Sequence, residues 1–195
     1  AITASQVFKM PMDMVTPLMR SRAKAVNFGI VYGIGAFSLA KDIGVTRAKA
    51  AEYIKSYLSH YSGVDNYMYN IIADAKEKGY VTTLFGRRRD LPELHMSNAI
   101  QRAFGERVAR NMPIQGTAAD IIKIAMVRVY DRLKRENMRS RLIMQVHDEL
   151  IIEAPEDERD KALNVLKEEM ENAVKMKVTL SVDAHAGKTW YEAKG

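Results

Sequence analysis

The spacing of the apolar residues constrains the fold of this 195-residue chain most strongly. Up to about residue 136, apolar residues recur mainly at intervals of three and four, as in the segment 64–78, and this period predicts helices. Beyond residue 136, the apolar and β-branched runs 141–146 and 150–154 predict an antiparallel hairpin. We therefore expect an α+β fold that is mostly helical, in which a series of helices precedes part of an antiparallel sheet with packed helices.

Local signals set the expected limits of the helices and strands. Thr46 is a typical N-cap residue, and Gly33 and Gly79 are expected to end the helices before them. Pro113 is expected to interrupt or kink the helical region, because proline lacks a backbone N–H. The expected helices are 5–9 (a single turn), 16–32, 36–43, 46–60, 64–78, 97–111, 117–136 and 156–175, and the expected strands outside the hairpin are 80–85 and 178–185.

Within the helix expected over 16–32, Arg20, Lys24, Phe28 and Tyr32 follow one another at four-residue intervals. Each interval advances a helix by about 6 Å and turns it by about 40°, so two cations and two aromatic rings lie along one slowly turning stripe. Such a stripe suits a ligand with anionic groups at one end and a flat ring at the other, which describes a nucleoside triphosphate. An amphipathic helix with solvated charges and core aromatic residues also explains this spacing.

The charge of the chain is positive and unevenly distributed. With 30 Lys and Arg against 24 Asp and Glu, the net charge is +6, which suits an acidic partner such as nucleic acid but also occurs in proteins without one. Basic clusters without acids occupy 20–24 and 87–89, whereas 8 of the 24 Asp and Glu residues are concentrated in 153–172. This polarised distribution favours nucleic-acid binding.

Composition also excludes several kinds of site. The chain has no cysteine, which excludes disulfides and thiolate-based zinc or iron–sulfur sites and fits a reducing compartment. No apolar run approaches the roughly 20 residues of a membrane span, so no membrane association is expected.

The tip of the predicted hairpin carries His147, Asp148 and Glu149. Adjacent acids at a tight turn are common turn formers on a solvated surface. Alternatively, the two strands aim a carboxylate at a divalent metal such as Mg²⁺, which binds one or two carboxylates together with phosphates and water. A two-metal site needs carboxylates from more than one segment, and no other acid lies on a strand expected to converge there.

Together, these segments resemble known motifs. The spacing of Arg20, Lys24, Phe28 and Tyr32 resembles motif B of the family A DNA polymerases, and 146–149 resembles motif C of that family. Further segments that resemble the family, in order and at plausible spacing, are 80–88, 111–120 and the ending 187–191. The resemblance covers essentially the whole chain.

The resemblance implies a role for each residue of the stripe. Arg20 and Lys24 would contact the triphosphate of an incoming dNTP, and Lys24 would also serve as a general acid toward pyrophosphate. Phe28 would stack on the nucleotide, and Tyr32 would occupy the side of the templating base.

The resemblance also implies contacts with DNA and metal. Asp148 would bind metal, Glu149 would support the metal site, and the complete site would hold two Mg²⁺ ions. Asp148, Glu149 and Lys24 would therefore be the catalytic residues. The residues expected to contact template–primer DNA are Arg87, Arg88, Arg107, Asn111, Gln115 and His147.

The expected activity is template-directed transfer of deoxynucleotides from dNTP to a primer 3′-OH, in DNA replication and repair in the bacterial cytoplasm. By the resemblance, 1–105 are fingers, with motif B on the helix at about 16–32, and 106–195 are the later part of the palm, with motif C at about 141–154. Motif A, which carries the first metal-binding aspartate, lies upstream of the fingers in this family. We therefore expect a C-terminal fragment that lacks motif A, is inactive alone, and exposes a sheet edge through which it dimerises.

Two other functions fit parts of the sequence. A non-catalytic nucleic-acid-binding module that reuses the polymerase fold predicts salt-dependent, sequence-tolerant duplex binding. Gly29, Gly33 and Gly35 suggest a dinucleotide-binding enzyme, but these glycines follow a helix rather than a strand, so the phosphate-binding fingerprint is not met.

Overall fold

The computed structural model describes residues 2–8 and 10–194. The chain divides into two compact units, Ala1–Ile114 and Gln115–Gly195. The division falls inside the longest helix. The assignment of fingers and palm to parts of the chain stays a prediction.

The first unit is mainly helical. Its elements are α1 (Ile2–Phe8), α2 (Pro17–Val31), α3 (Ala36–Ile43), α4 (Arg47–His60), α5 (Ser62–Lys78), β1 (Tyr80–Thr82), β2 (Arg88–Asp90) and the first part of α6 (Ala99–Arg135). The predicted helices 16–32, 36–43 and 46–60 are confirmed within one residue at each end. The predicted turn 5–9 lies in α1 up to Phe8, and residue 9 is outside the described residues.

Helices α2, α3 and α4 share one apolar core. Val26 and Ile30 on α2 pack with Leu39 and Ile43 on α3 and with Tyr57 on α4, and all five side chains are buried. The Tyr57 hydroxyl also donates a hydrogen bond to the Asn27 Oδ1 atom, which ties α4 to α2. Burial raises the pKa of Tyr57 above its ordinary value, so this hydroxyl stays protonated and remains a donor.

The predicted strand 80–85 is too long. Strand β1 ends at Thr82, and the Thr83 side-chain oxygen accepts hydrogen bonds from the backbone N–H groups of Phe85 (3.3 Å) and Arg87 (3.1 Å). Gly86 follows with a φ of +81°, a conformation that favours glycine. Local bonding by a threonine side chain therefore replaces the strand with a tight turn, and β2 returns antiparallel to β1.

The predicted interruption at Pro113 is wrong, because α6 runs without a break from Ala99 to Arg135. A proline inside a helix removes one hydrogen bond and costs about 3 kcal/mol. Buried side chains on both sides of Pro113 offset this cost. Ala109 is fully buried in the core of the first unit, and Val129 is fully buried in the core of the second.

The second unit combines the last part of α6 with one hairpin and helix α7. Its remaining elements are β3 (Arg141–Val146), β4 (Glu149–Glu153), a 3₁₀ turn (Glu156–Glu158), α7 (Arg159–Glu171) and the short helix α8 (Trp190–Ala193). The predicted hairpin is confirmed. Its register shifts by one residue between Leu142 and Met144, so Ile143 forms a β-bulge in β3.

Two predictions for the second unit need correction. The helix predicted over 156–175 begins as the 3₁₀ turn and ends at Glu171, where the Arg128 guanidinium donates to the carbonyl oxygens of Asn172 and Ala173. The strand predicted over 178–185 pairs with no other strand among the described residues. Its Val182 N–H instead donates to the Glu171 carboxylate at 3.1 Å, so a side chain satisfies a backbone group that a strand would pair in a ladder.

No helix within 2–8 and 10–194 is long and apolar enough to cross a membrane.

Candidate functional site

Helix α2 begins and ends on local signals that orient its two faces. The Thr16 hydroxyl accepts a hydrogen bond from the Met19 N–H at 3.3 Å, and Pro17 occupies the first helical position. Ala23, Val26 and Ile30 are buried at three- and four-residue spacings. Because this face packs into the core, the opposite face of α2 points to solvent.

The exposed face of α2 carries the predicted stripe. Arg20, Lys24 and Phe28 are exposed, and Tyr32 is half-buried at the end of the helix. The Lys24 Nζ atom lies 5.8 Å from the centre of the Phe28 ring. The Phe28 and Tyr32 rings stack with centroids 6.2 Å apart and an angle of 25° between their planes.

Phe28 is 47% exposed, so it is not a core residue. The structure therefore contradicts the alternative in which the aromatic residues of the stripe belong to the core, at least for Phe28. What remains is a line of an exposed cation, an exposed ring and a half-buried ring, along which a flat and anionic molecule can lie.

The C-terminal end of α2 is closed by a glycine. The N–H of Ile34 donates to the carbonyl of Gly29 at 2.7 Å, and the N–H of Gly33 donates to the carbonyl of Ile30 at 2.9 Å, which together form a Schellman motif. Gly33 has a φ of +77°, and a Cβ atom there would lie 2.5 Å from the Arg110 Nη1 atom. The Arg110 cation thus lies against the helix end, where the helix dipole is negative.

The basic residues predicted to contact DNA differ in how they are held. Arg88 is engaged, since its Nε atom donates to Asp90 at 2.8 Å and its guanidinium lies 3.8 Å from the centre of the Tyr80 ring. Arg87 and Arg107 are exposed, and the Arg107 guanidinium lies 5.9 Å from the ring centre of Phe104. All three arginine side chains are exposed, so each carries its charge at the surface of the protein.

Arg107, Asn111 and Gln115 follow one another at four-residue intervals along α6. Gln115 is exposed. The Asn111 Oδ1 atom is buried and has no hydrogen-bond partner among the described residues. A buried acceptor without a donor costs free energy, so this oxygen lowers the stability of the folded chain slightly.

The β3–β4 hairpin places His147 and Asp148 at its tip. Val146 pairs with Glu149, which leaves a turn of two residues, and His147 adopts a φ of +53° that is uncommon for a side chain other than glycine. The Gln145 Nε2 atom donates to the His147 carbonyl at 2.6 Å and holds this turn. His147 and Asp148 are both exposed.

Asp148 and Glu149 have different surroundings. Within the part of the chain that the structure describes, no hydrogen bond or ion pair engages the Asp148 carboxylate. Glu149 is the first residue of β4, and its Oε2 atom accepts from the Trp190 indole N–H at 3.3 Å. Its Oε1 atom lies 3.6 Å from the Lys194 Nζ atom.

Sequence reasoning missed Trp190 and Lys194 as neighbours of Glu149. The ending 187–191 resembles a segment of the family, but that resemblance implies no role for Trp190. Its contact with Glu149 spans 41 residues, so no local pattern indicates it.

The chemistry of the Asp148 side chain suits the binding of a divalent metal ion. Its carboxylate is a hard oxygen donor, is exposed, and has no competing cation among the described residues. The same residues contain no group of three or more His, Cys, Asp or Glu that could hold a metal ion. Asp148 thus offers one ligand to a site that needs further ligands from other molecules or segments.

Comparison with known proteins identifies the family. The sequence model of DNA polymerase family A matches residues 1–192. The chain belongs to DNA polymerase family A. It is 53% identical over 192 residues to DNA polymerase I of Bacillus caldotenax, covering 98% of this chain and 22% of that protein. It is 50% identical over 192 residues to DNA polymerase I of Bacillus subtilis, with the same shares covered.

A solved structure of a polymerase domain matches the fold. It is described as the POL domain of Pol1 from M. smegmatis in complex with DNA primer-template and dNTP, and the match has a TM-score of 0.94 at 40% identity. The match covers 99% of this chain and 34% of the other chain. This chain spans about a fifth of the length of the curated relatives that it matches.

Proposed function

We propose that this chain supplies the nucleotide-binding helix and one metal-binding carboxylate of a DNA-directed DNA polymerase. The observation that carries the proposal is the exposed stripe of α2, in which Lys24 lies 5.8 Å from the Phe28 ring centre and Phe28 stacks on Tyr32. Membership of family A and the likeness to a polymerase domain bound to primer-template and dNTP support the same function.

The stripe binds the incoming dNTP. Arg20 and Lys24 neutralise its phosphates, since a forked guanidinium and a compact ammonium both suit phosphate oxygens. Phe28 stacks on the nucleotide, and Tyr32 occupies the side of the templating base. Lys24 also donates a proton to the departing pyrophosphate. Phosphoryl transfer depends mainly on positioning and on neutralised charge, which this exposed face can supply.

Template–primer DNA contacts the basic and amide side chains. Arg87, Arg88 and Arg107 bind the phosphate backbone, whereas Asn111 and Gln115 reach the minor groove. Minor-groove acceptors are largely shared among base pairs, so such contacts test the shape of a pair without reading sequence. His147 holds the primer end.

Asp148 is the residue of this chain that would hold Mg²⁺, and Glu149 supports the site from the adjacent position. When bound, the two Mg²⁺ ions of the complete site would stabilise charge on the attacking and leaving oxygens. The turn holds Asp148 at the hairpin tip, where its carboxylate is accessible to solvent.

We propose further that these 195 residues alone do not catalyse nucleotide addition. A two-metal site needs carboxylates from more than one segment, and the described residues contain no group of three candidate ligands. The second carboxylate then comes from residues beyond this sequence, in keeping with its share of about a fifth of its relatives. Primer extension with dNTP and Mg²⁺ should be absent for the 195-residue chain, and templated extension by it would contradict this statement.

The nucleotide site is tested by Lys24→Ala and Phe28→Ala in the full-length protein that contains this chain. Each should raise KM for dNTP about 10-fold or more, because each loses a charge-assisted or stacking contact with the nucleotide. Lys41→Ala on α3 and Tyr69→Ala on α5 are matched controls, since both side chains are exposed and lie on helices other than α2. Single-nucleotide incorporation kinetics measure the effect. Equal KM values in all four variants would overturn the stripe as a dNTP site.

A non-catalytic nucleic-acid-binding module remains the second candidate. The observation that favours it is the engagement of Glu149 by Trp190 and Lys194, which leaves Asp148 as the one open carboxylate of the pair. It predicts salt-dependent duplex binding and normal synthesis by the full-length protein after Lys24→Ala or Asp148→Asn. Loss of synthesis in either variant would exclude it.

We also propose that the 195-residue chain dimerises through the edge of β3. Ile143 and Met144 are exposed on this strand, and it pairs only with β4 among the described residues. An open edge with exposed apolar side chains favours strand addition by a second chain. Light scattering at high concentration should show a dimer, and a monomer would contradict it.

A further inference from the structure

The C-terminal residues 187–194, here called the C-terminal clamp, fold by a capping motif. The Thr189 hydroxyl accepts from the Glu192 N–H at 3.3 Å, and the Glu192 carboxylate accepts from the Lys188 N–H at 2.8 Å. These reciprocal bonds resemble a capping box and begin the short helix α8. The sequence Thr-Trp-Tyr-Glu thus fixes Trp190 immediately after the cap.

Gly187 allows the clamp to fold back on itself. A Cβ atom at this position would lie 2.6 Å from the backbone nitrogen of Ala193 and 2.7 Å from the Cβ atom of Glu192. Real Cβ atoms do not approach backbone atoms this closely, so any other residue would push α8 away. The preceding segment is anchored separately, because the Val182 N–H donates to Glu171 on α7.

The folded clamp holds Glu149 by both carboxylate oxygens. The Trp190 indole donates to Oε2 at 3.3 Å, and the Lys194 ammonium lies 3.6 Å from Oε1. The Lys194 Nζ atom also lies 5.5 Å from the centre of the Trp190 ring, so the two clamp residues support each other. Each oxygen of Glu149 therefore has its own partner, whereas Asp148 has none among the described residues.

We propose that the clamp is a positioning device for the metal site, with Trp190 and Lys194 as positioning residues that act through Glu149. This inference rests on the proposed roles of Asp148 and Glu149 in metal binding. The clamp keeps the Glu149 carboxylate from coordinating metal in place of Asp148, and the Lys194 charge offsets its negative charge. Outer-shell partners of this kind typically change metal affinity or activity by 10- to 100-fold when removed.

The clamp has two separable effects. Without the Trp190 N–H, Glu149 is free to turn toward the metal and kcat falls. Without the Lys194 charge, more negative charge faces the metal site, so less Mg²⁺ is needed for half-maximal activity. A merely structural role would lower thermal stability and leave the Mg²⁺ dependence unchanged.

The first experiment tests the contact in the 195-residue chain. Trp190 is the single tryptophan of the sequence, so its fluorescence reports on the clamp alone. Glu149→Gln should shift the Trp190 emission, because it removes the charge that faces the indole N–H. The matched control Glu153→Gln changes an exposed acid at the end of the same strand and should leave the emission unchanged. Identical emission in both variants would overturn the contact.

The second experiment tests the consequence in the full-length protein. Trp190→Phe keeps a ring but loses the N–H donor, and should lower kcat about 10-fold with little change in KM for dNTP. Lys194→Gln should lower the Mg²⁺ concentration for half-maximal activity roughly two- to five-fold. Lys194→Arg keeps the positive charge and should have the Mg²⁺ dependence of the unmodified protein. Tyr191→Phe and Lys188→Gln are matched controls within the clamp and should behave as the unmodified protein.

Two outcomes separate failure of the clamp from failure of the proposed function. If Asp148→Asn abolishes synthesis while Trp190→Phe and Lys194→Gln leave kcat and Mg²⁺ dependence unchanged, the clamp proposal is overturned and the metal site stands. If Asp148→Asn leaves synthesis intact, the proposed metal site fails and the clamp fails with it.

Discussion

On helix α2, the contacts of the candidate site join residues four positions apart, from Lys24 to Phe28 and from Phe28 to Tyr32. On the β3–β4 hairpin, the contacts of Glu149 join residues more than forty positions apart. The stripe on α2 is therefore a product of helix geometry alone, once one face is buried. The arrangement at the hairpin requires a folded C-terminal segment in addition to the two strands.

The α2 stripe and the hairpin tip therefore hold their polar side chains for a ligand in two different ways. On α2, the side chains of Arg20, Lys24 and Phe28 are exposed, so a ligand can gain stacking and charge contacts with them and displaces little of the protein. At the hairpin, one acid is open and its neighbour is held, which assigns different tasks to two chemically similar side chains. Variants of these two acids should therefore have different effects if their tasks differ.

The largest expected effect separates Asp148 from Glu149. In the full-length protein, Asp148→Asn should lower kcat by at least about 100-fold, because it removes the carboxylate that is proposed to hold Mg²⁺. Glu149→Gln should lower kcat by roughly 10-fold, as expected for a supporting residue. Primer-extension kinetics measure both. Equal losses would mean that the two carboxylates share one task, and that the engagement of Glu149 has no functional meaning.

A smaller effect tests whether the end of α2 depends on local backbone geometry. Gly33→Ala should destabilise the chain by about 1–2 kcal/mol, since alanine disfavours a positive φ and its Cβ atom would meet Arg110. Gly63→Ala is the control, because nothing lies within 4 Å of its Cβ position in α5. It should stabilise the helix by about 0.5–1 kcal/mol. Urea denaturation followed by circular dichroism measures both, and the same sign for the two variants would refute the explanation.

The smallest expected effect concerns acid stability of the second unit. Arg132 and then Lys161 hold the pKa of Glu136 at about 2, and hydrogen bonds from Ser140 and Arg139 lower the pKa of Glu158 to about 2. Both values lie below those of an unfolded chain, so their stabilisation is complete above about pH 4.5 and is lost as the pH falls toward 2.

Trp190 fluorescence during urea unfolding should therefore show a falling midpoint between pH 4.5 and 2. Glu158→Gln should flatten this dependence, because its side chain no longer titrates. A variant with the same pH dependence as the unmodified chain would show that Glu158 is not responsible.

The predictable part of the structure is local. Thr46 as an N-cap and Gly33 as a C-terminal glycine gave correct helix limits, because each acts within four residues of its own position. The stripe on α2 was predictable for the same reason. Its roles in nucleotide binding stay predictions, since they depend on a molecule that the chain itself does not contain.

The wrong predictions concern segments in which contacts with residues distant in sequence outweigh the local conformational preference. Pro113 fails to break α6 because buried residues on both sides keep the helix intact. Residues 178–185 have strand-like composition but pair with no strand in the described part of the chain, and the Glu171 carboxylate accepts a backbone N–H from this segment instead. The Trp190 contact with Glu149 also depends on residues distant in sequence, because it forms only after the clamp has folded.

The bulge at Ile143 determines which residues occupy the hairpin tip. Between Leu142 and the tip, β3 contains one residue that has no partner in β4. Because of this extra residue, Val146 lies opposite Glu149. With a regular ladder, the count would place Gln145 opposite Glu149 and would lengthen the loop to three residues. Side chains alternate between the two faces of the hairpin along each strand. The extra residue therefore determines which face each side chain from Met144 to the tip occupies. One extra apolar residue in β3 thus decides that Asp148 ends the loop and Glu149 begins the strand.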